Sequence, residues 1–295
     1  GLIWVTGHDG ESVTGFNLTT GFGEAATKDL IDFVDQLDES KLPDKSHAQE
    51  SFPVAGRIQP LEYAYPYIAA GTNFKEHAEE VYSDDPPFLF PKLAEAGNWQ
   101  DPVPFTRRLD FEAELAMFPL ADIHSPDELP AFGLVLGNDF TDRWTLVRGL
   151  HLIGPLGETG FAAGKGCPGC MPTGYLVVIP RSPDFYLSLE VSLYLNDQLR
   201  QRFSMKDLIL PIEELVAQAF ASREVAFENG DGTVSLLPGD HIPRGTLILT
   251  GTAAGVIFKP LNILNQGVYL QPGDVVRTEA TYLGHMENAV TRAAN

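Results

Sequence analysis

Leu109-Asp-Phe-Glu-Ala-Glu-Leu-Ala116 alternates with a period of two. Strand side chains point alternately to the two faces, so Leu109, Phe111, Ala113 and Leu115 share one side and Asp110, Glu112 and Glu114 the other. Residues two apart lie about 6.5–7 Å apart along a strand, close enough for two carboxylates to converge on one cation. The plainer alternative is a strand with a core face and a solvated acidic face. Further on, Phe132-Gly-Leu-Val-Leu-Gly-Asn-Asp139 is an apolar run closed by an acid. If the two runs are neighbours, three carboxylates surround one point. They then need a cation, because mutual repulsion would otherwise raise their pKa values. All-oxygen ligation favours Mg²⁺, Mn²⁺ or Ca²⁺ over zinc. Glu112, Glu114 and Asp139 are thus candidate ligands, and Asp110 is expected in a supporting position or in solvent.

The flanking sequence is also strand-rich. Leu189-Glu-Val-Ser-Leu-Tyr-Leu-Asn-Asp-Gln-Leu199 is a hairpin pattern turning at Asn196-Asp197. After Pro211, Ile212, Leu215, Val216, Ala219 and Phe220 have the spacing of an amphipathic helix. Pro238-Gly-Asp240 and Pro272-Gly-Asp274 are turns leading into apolar runs. At the front, Leu2-Ile-Trp-Val5 and Val13-Thr-Gly-Phe16 are short strand patterns around a Gly10 turn, and Leu30, Phe33, Val34 and Leu37 mark a helix. Residues 38–56, polar and proline-bearing, read as a linker. The expected division is a small N-terminal α+β domain with its linker, 1–56, and a larger strand-rich domain, 57–295. Strands dominate without alternating with helices, so the class is α+β, mainly β, and not a doubly wound sheet.

The chain carries 20 Lys and Arg against 40 Asp and Glu, a formal charge of −20. That balance argues against a nucleic-acid partner. It also requires that any anionic substrate be met by locally placed cations. No stretch approaches the ~18–20 continuous apolar residues of a membrane span, and no secretory signal is visible. Cys167-Pro-Gly-Cys170 has no further Cys or His near it to complete a zinc site. Pro168, Gly169 and Pro172 place it in a loop, away from a redox motif's strand-to-helix context. Two free thiols are expected, in keeping with a reducing cytoplasm.

His77 and Glu80 form a second constellation. In Gly71-Thr-Asn-Phe-Lys-Glu-His77, Asn73 reads as an N-cap and Glu76 completes a capping-box pattern. On that helix His77 and Glu80 stand at i and i+3. A carboxylate beside an imidazole orients it and raises its basicity, so the pair can deprotonate water. The alternative is an exposed helical ion pair. Lys92, Arg143 and Lys165 are candidate anchors for a substrate carboxylate, against plain charge balance of surface acids. Leu247-Ile-Leu-Thr-Gly-Thr-Ala-Ala-Gly255 is a strand entering a tight turn, where Gly251 and Thr252 offer an N–H and a hydroxyl to an anion.

Together these residues resemble the fumarylacetoacetate hydrolase superfamily, from about residue 65 to 290. Gly71–Glu80 is similar to the family's lid segment with its His–Glu pair, and Pro87-Phe-Leu-Phe-Pro-Lys92 to its Phe-x-Lys stretch. Asp110–Glu114 resembles its Glu-x-Glu metal motif, and Gly137-Asn-Asp-Phe-Thr-Asp-Arg143 its Asp-x-x-x-Arg motif. Gly164-Lys165 matches the family lysine, Leu249–Gly255 the Gly-Thr turn, and Gln271–Val276 with Leu283-Gly284 the closing strands. The resemblance implies a mixed β-roll catalytic domain, a small N-terminal domain and a homodimer. It implies Mg²⁺ or a similar cation on Glu112, Glu114 and Asp139. His77, oriented by Glu80 on a mobile lid, would activate water. Lys165 and Arg143 would hold the substrate carboxylate or the developing oxyanion. The implied reaction is C–C hydrolysis of a 2,4-dioxo acid through a metal-stabilised enolate. Decarboxylation, isomerisation or dehydration on the same platform is the alternative, with a non-catalytic metal-binding module behind it. Three departures surround the expected pocket: Leu146 where the family often has glutamine, Ala253 in place of proline, and the longer segment Ile257–Val268.

Overall fold

Two units make up the chain in the computed structural model, Gly1–Glu62 and Tyr63–Asn295, and the described residues are 1–23, 26, 29–43, 47–151 and 154–292. The first unit has three antiparallel strands in the order β1 (Ile3–His8), β2 (Ser12–Asn17), β3 (Glu50–Pro53). Helix α1 (Leu18–Phe22) starts where Asn17 Oδ1 accepts the Thr19 N–H, and α2 (Leu30–Asp35) where Asp29 accepts the Ile31 N–H. Leu18, Ala26 and Phe33 form the core, with Leu2, Phe22, Val34 and Leu37 packed on it. Strand β3 corrects the linker reading of 38–56. Phe52 pairs with Val13 and Pro53 with Ser12, and proline is tolerated there because β3 is an edge strand. Asp44–Ser46 of that stretch lie outside the described residues.

The second unit contains, in chain order, β4 (Ala64–Gly71), β5 (Phe88–Lys92), β6 (Val103–Pro104), β7 (Leu109–Asp110), β8 (Ala113–Pro119), β9 (Phe132–Asn138), β10 (Thr141–Asp142), β11 (Thr173–Val178), β12 (Glu190–Leu195), β13 (Gln198–Ser204), β14 (Ala226–Asn229), β15 (Gly232–Ser235), β16 (Thr246–Leu249), β17 (Val275–Ala280) and β18 (Gly284–Thr291). Its helices are α3 (Lys75–Glu80), α4 (Arg143–Gly149), α5 (Phe161–Gly164) and α6 (Ile212–Ala221). One mixed sheet runs β11-β9-β8-β16-β4-β5, with β16 parallel to β4. The other runs β13-β12-β17-β18-β6, with β18 parallel to β6. Strands β8 and β9 lie against β12, β17 and β18 of the second sheet. Every residue of β8 and β9 is buried, which is why both strands read as near-continuous apolar runs. Gly133 is required here: a Cβ would lie 2.2 Å from the Phe118 ring. The fold is the mainly β arrangement expected. The β12–β13 hairpin turns at Asn196 and Asp197, both at positive φ (49° and 63°), as a two-residue primed turn requires. Ile212, Leu215, Val216, Ala219 and Phe220 form the buried face of α6.

Two local readings are corrected. Asp110, Glu112 and Glu114 do not share one strand. β7 pairs with β10 and β8 with β9, while Phe111 and Glu112 leave the ladder. Side chains take over their backbone donors: Phe111 N–H donates to Asp110 Oδ1 (2.9 Å) and Glu112 N–H to Asn138 Oδ1 (3.0 Å). Neither side meets solvent, and Asp110 is wholly buried. The Asn73–Glu76 capping box is also absent. Phe74 precedes α3 without a side-chain cap. Asn73 is buried and bonds elsewhere. Its Oδ1 accepts the Leu210 N–H (2.7 Å), and its Nδ2 donates to Leu210 O (3.0 Å) and Thr250 O (2.9 Å). The Thr250 carbonyl is buried and the Leu210 backbone partly so, and leaving them without partners is a larger penalty than one missing cap. Asn73→Ala is therefore expected to lower unfolding free energy by about 3 kcal/mol in a denaturant titration.

Candidate active site

Strand pairing assembles an acidic cluster. Ala113 lies opposite Asn138 across β8 and β9. Glu112, Glu114 and Asp139 flank that pair and converge, with one oxygen from each within 4.8 Å of the others. All three side chains are buried. Three cations surround them. Lys92, 0% exposed at the end of β5, contacts Asp139 Oδ1 (2.6 Å) and donates to Cys170 O (3.0 Å) and Phe140 O (3.3 Å). Lys165, just after α5, donates to Asp139 Oδ2 (2.7 Å), Thr141 Oγ1 (2.9 Å) and Glu112 Oε2. Arg143, the first residue of α4, bridges Asp110 Oδ2 (2.8 Å) and Glu112 Oε1. All three candidate anchors are thus engaged with the cluster's own carboxylates. Asp110 also accepts the N–H groups of Ile257 (2.8 Å) and Phe258 (3.0 Å), tying that loop to the cluster.

The charges are unevenly compensated. Burial works against a charged Glu112, but Lys165, Arg143 and His77 outweigh it and hold its pKa at about 2. Burial likewise opposes the Lys165 charge, and Asp139 and Glu112 overcome it, raising its pKa. For Lys92 burial wins and the pKa falls. Glu114 is the exception. Burial, then Asp139 and Glu112, push its carboxyl well above the usual range. Its donor is the Gly251 N–H, 2.7 Å from Oε2, and no described Lys or Arg forms an ion pair with it. Three buried cations face four buried carboxylates, counting Asp110. The surplus negative charge, the oxygen-only donors and their convergence fit a hard divalent cation held by Glu112, Glu114 and Asp139.

The Gly251 N–H of the Gly-Thr turn is already taken by a side chain of the protein, the Glu114 carboxyl. Gly251 has φ +87°, a conformation glycine adopts without strain. The Thr252 hydroxyl donates to Ala113 O (2.8 Å) and accepts from Gln201 Nε2 (2.9 Å). The turn therefore fixes β8 and aims Glu114. On α3, His77 is buried and its Nδ1 lies 3.4 Å from Glu80 Oε2. Burial opposes the charge on Glu80. Hydrogen bonds from His77, Lys259 and the Gly255 N–H outweigh that and hold its pKa below the usual carboxylate value. Lys259, unrecognised from the sequence, pairs with Glu80 Oε1. The signal for it was a cation in the apolar stretch Gly255-Val-Ile-Phe-Lys259 of a strongly acidic chain. Asn138 was also missed, although it stands directly before Asp139.

Leu146 is accounted for by packing. It is buried on α4 against Gly164 of α5, where a Cβ would lie 2.4 Å from the Leu146 Cβ. The cysteines require a correction: Cys167 and Cys170 form a disulfide and are not free thiols. Gly169 at φ +76° closes the Cys-Pro-Gly-Cys turn, Cys170 N–H donates to Cys167 O (3.1 Å), and the Cα atoms stand 5.4 Å apart. That separation suits a disulfide without backbone movement. The thiol argument for a reducing cytoplasm falls with it. Among the described residues, no helix is long and apolar enough to cross a membrane.

Comparison with known proteins points the same way as the geometry. The family model for the fumarylacetoacetate (FAA) hydrolase C-terminal region matches residues 67–291. No curated protein matches the chain. Among solved structures, the fumarylacetoacetate hydrolase of psychrophilic Exiguobacterium antarcticum is 21% identical with a TM-score of 0.63, covering 95% of this chain and 94% of that one. The 5-carboxymethyl-2-hydroxymuconate delta-isomerase of Mycobacterium smegmatis is 19% identical with a TM-score of 0.60, covering 99% and 94%. The fumarylpyruvate hydrolase of Pseudomonas aeruginosa, in complex with Mn²⁺ and pyruvate, is 19% identical with a TM-score of 0.57, covering 82% and 92%. At these identities the likeness is one of fold.

Proposed function

Because the chain belongs to the fumarylacetoacetate hydrolase family, we propose that it is a divalent-metal-dependent enzyme hydrolysing a C–C bond in an acylpyruvate-like 2,4-dioxo acid. The observation that carries this reading is the convergence of three buried carboxylates together with the His77–Glu80 pair, whose imidazole is buried. His77 is among the groups that act electrostatically on Glu112. A structural ion would gain nothing from that pair. Mg²⁺ or Mn²⁺ on Glu112, Glu114 and Asp139 would supply Lewis-acid polarisation of the substrate's 2-oxo and carboxylate oxygens; the P. aeruginosa relative binds Mn²⁺ and pyruvate.

The remaining steps fall to side chains. Glu80 faces His77 Nδ1 and fixes the tautomer with its proton there, leaving Nε2 as base. Nε2 takes the proton of the water that attacks the distal carbonyl. The imidazolium then holds the proton that the departing enolate carbon requires. Lys165 gives its three N–H donors to Glu112, Asp139 and Thr141, and a substrate oxygen beside the ligand carboxylates would take over one of them. Arg143, locked between Asp110 and Glu112, keeps Glu112 charged and aimed. A homodimer completes the reading and is checked by light scattering.

A second reading is a lyase or isomerase using the same residues, and the similarity to the M. smegmatis isomerase favours keeping it. The decisive experiment is a panel of 2-oxo and 2,4-dioxo acids with Mg²⁺ or Mn²⁺ and product analysis, run on the wild type and on His77→Ala. Hydrolysis predicts release of pyruvate from acetylpyruvate and its loss, by about 10²–10⁴-fold, in the variant. If His77→Ala spares oxaloacetate decarboxylation, that step needs no activated water. Turnover of no acid in the panel overturns the proposal.

A further inference from the structure

We infer that Lys259 is a positioning residue for the His77–Glu80 pair, an inference that rests on the proposed role of His77. Glu80 is the last residue of α3, a helix of six residues with no side-chain cap at its start. So short a helix has little stability of its own, and the aim of Glu80 is set from outside it. The Gly255 N–H lies 3.0 and 3.1 Å from the two carboxylate oxygens. The Lys259 ammonium takes Oε1, which leaves Oε2 to His77.

The loop that presents Lys259 is anchored on both sides. Before it, the Ile257 and Phe258 N–H groups donate to the buried carboxylate of Asp110. After it, Asn262 Oδ1 accepts the Lys259 N–H (3.0 Å) and the Tyr269 hydroxyl (2.9 Å), while Asn262 Nδ2 returns to Ile257 O (2.8 Å). Gly255, at φ +113°, allows the chain to pass where a Cβ would lie 2.1 Å from Arg200 O. Asp110 is shared with Arg143, and Arg143 with Glu112, so one chain of polar contacts joins the ligand cluster to the proposed base. The Lys259 side chain is 40% exposed and that of Glu80 13%. A pair this open adds little to stability. Its effect is on the direction of the Glu80 carboxylate.

The test compares Lys259→Met, Lys259→Arg and Glu80→Gln in the full chain loaded with Mn²⁺, using acetylpyruvate cleavage and hydrogen exchange. Lys259→Met is expected to lower kcat by about 10- to 100-fold with KM within about twofold. Lys259→Arg keeps the charge and should recover kcat to within about threefold. In the Glu80→Gln background Lys259→Met should add less than about twofold, because its effect passes through Glu80. Exchange at the amides of residues 75–81 should speed up roughly fivefold in Lys259→Met, with Tm moving by no more than about 2 °C. Unchanged exchange overturns the inference, as does a raised KM with unchanged kcat or a full multiplicative loss on Glu80→Gln. If the wild type does not cleave acetylpyruvate, or His77→Ala cleaves it at the wild-type rate, the proposed function fails and the exchange measurement alone decides the role of Lys259.

Discussion

Glu114→Gln is expected to reduce turnover by at least about 10³-fold and to abolish Mn²⁺ binding, while the protein stays folded. The amide oxygen can still accept the Gly251 N–H that Glu114 Oε2 accepts at 2.7 Å. What is lost is the anionic ligand, and a neutral amide is a poor substitute for it. Without metal the variant should melt no lower than the wild type at pH 7. The sign follows from linkage: the folded pKa of Glu114 lies well above its ordinary value of 4.5. A carboxyl with a raised folded pKa costs stability that appears above the unfolded pKa and grows as pH rises towards the folded one. The substitution removes that cost. Thermal melts with and without Mn²⁺ check both parts: the wild type should gain stability on adding the ion and the variant should not. Ligation also needs the carboxylate form, so Mn²⁺ affinity of the wild type should weaken as pH falls through the raised Glu114 pKa, with protons released on binding. Calorimetry in buffers of differing ionisation enthalpy reads that release directly. Retained Mn²⁺ binding and full activity in Glu114→Gln would sink the metal mechanism.

The second large effect concerns stability. Asp110→Ala should lower unfolding free energy by about 3–5 kcal/mol in a denaturant titration, because it takes one of two carboxylates from the buried Arg143 guanidinium and leaves it Glu112 alone. It also removes the acceptor for the N–H groups of Phe111, Ile257 and Phe258. Against a total stability of about 5–15 kcal/mol for a typical domain this is a severe loss. Asp110→Asn keeps an acceptor but gives up the charge, and should fall between wild type and Asp110→Ala. A loss under about 1 kcal/mol in Asp110→Ala would show that Arg143 and the 257–258 backbone find other partners.

Asp110 shows where sequence reading stops. In the linear pattern it shares a face with Glu112 and Glu114 and is expected in a supporting position or in solvent. In the fold it belongs to a different strand from Glu114 and serves Arg143 and a loop nearly 150 residues away. Period-two alternation predicts a side for each residue only while the strand continues, and here side-chain bonds to the Phe111 and Glu112 backbone interrupt it. Asn73 makes the same point. Its sequence context reads as a helix cap, yet three backbone groups from distant segments hold it more strongly. The cysteine turn ran the other way, since the four-residue spacing alone permits both a disulfide and two thiols.

By itself the sequence determined the elements whose signal is local: the β12–β13 hairpin with its Asn-Asp turn, the buried face of α6, the mainly β class, and the types of residue that carry chemistry. Their order along the chain was enough to place them in a family. Only the tertiary structure decided which of these residues meet. Asp139 joins Glu112 and Glu114 because β9 pairs with β8 in a register that sets Asn138 opposite Ala113. Lys92, Arg143 and Lys165 face those carboxylates, and Lys259 reaches Glu80 across 179 residues of chain. The physical reason is range. Periodicity and turn preference act over a few residues, whereas convergence depends on pairing register, on burial, and on charges that gain their strength only once water has been removed from around them.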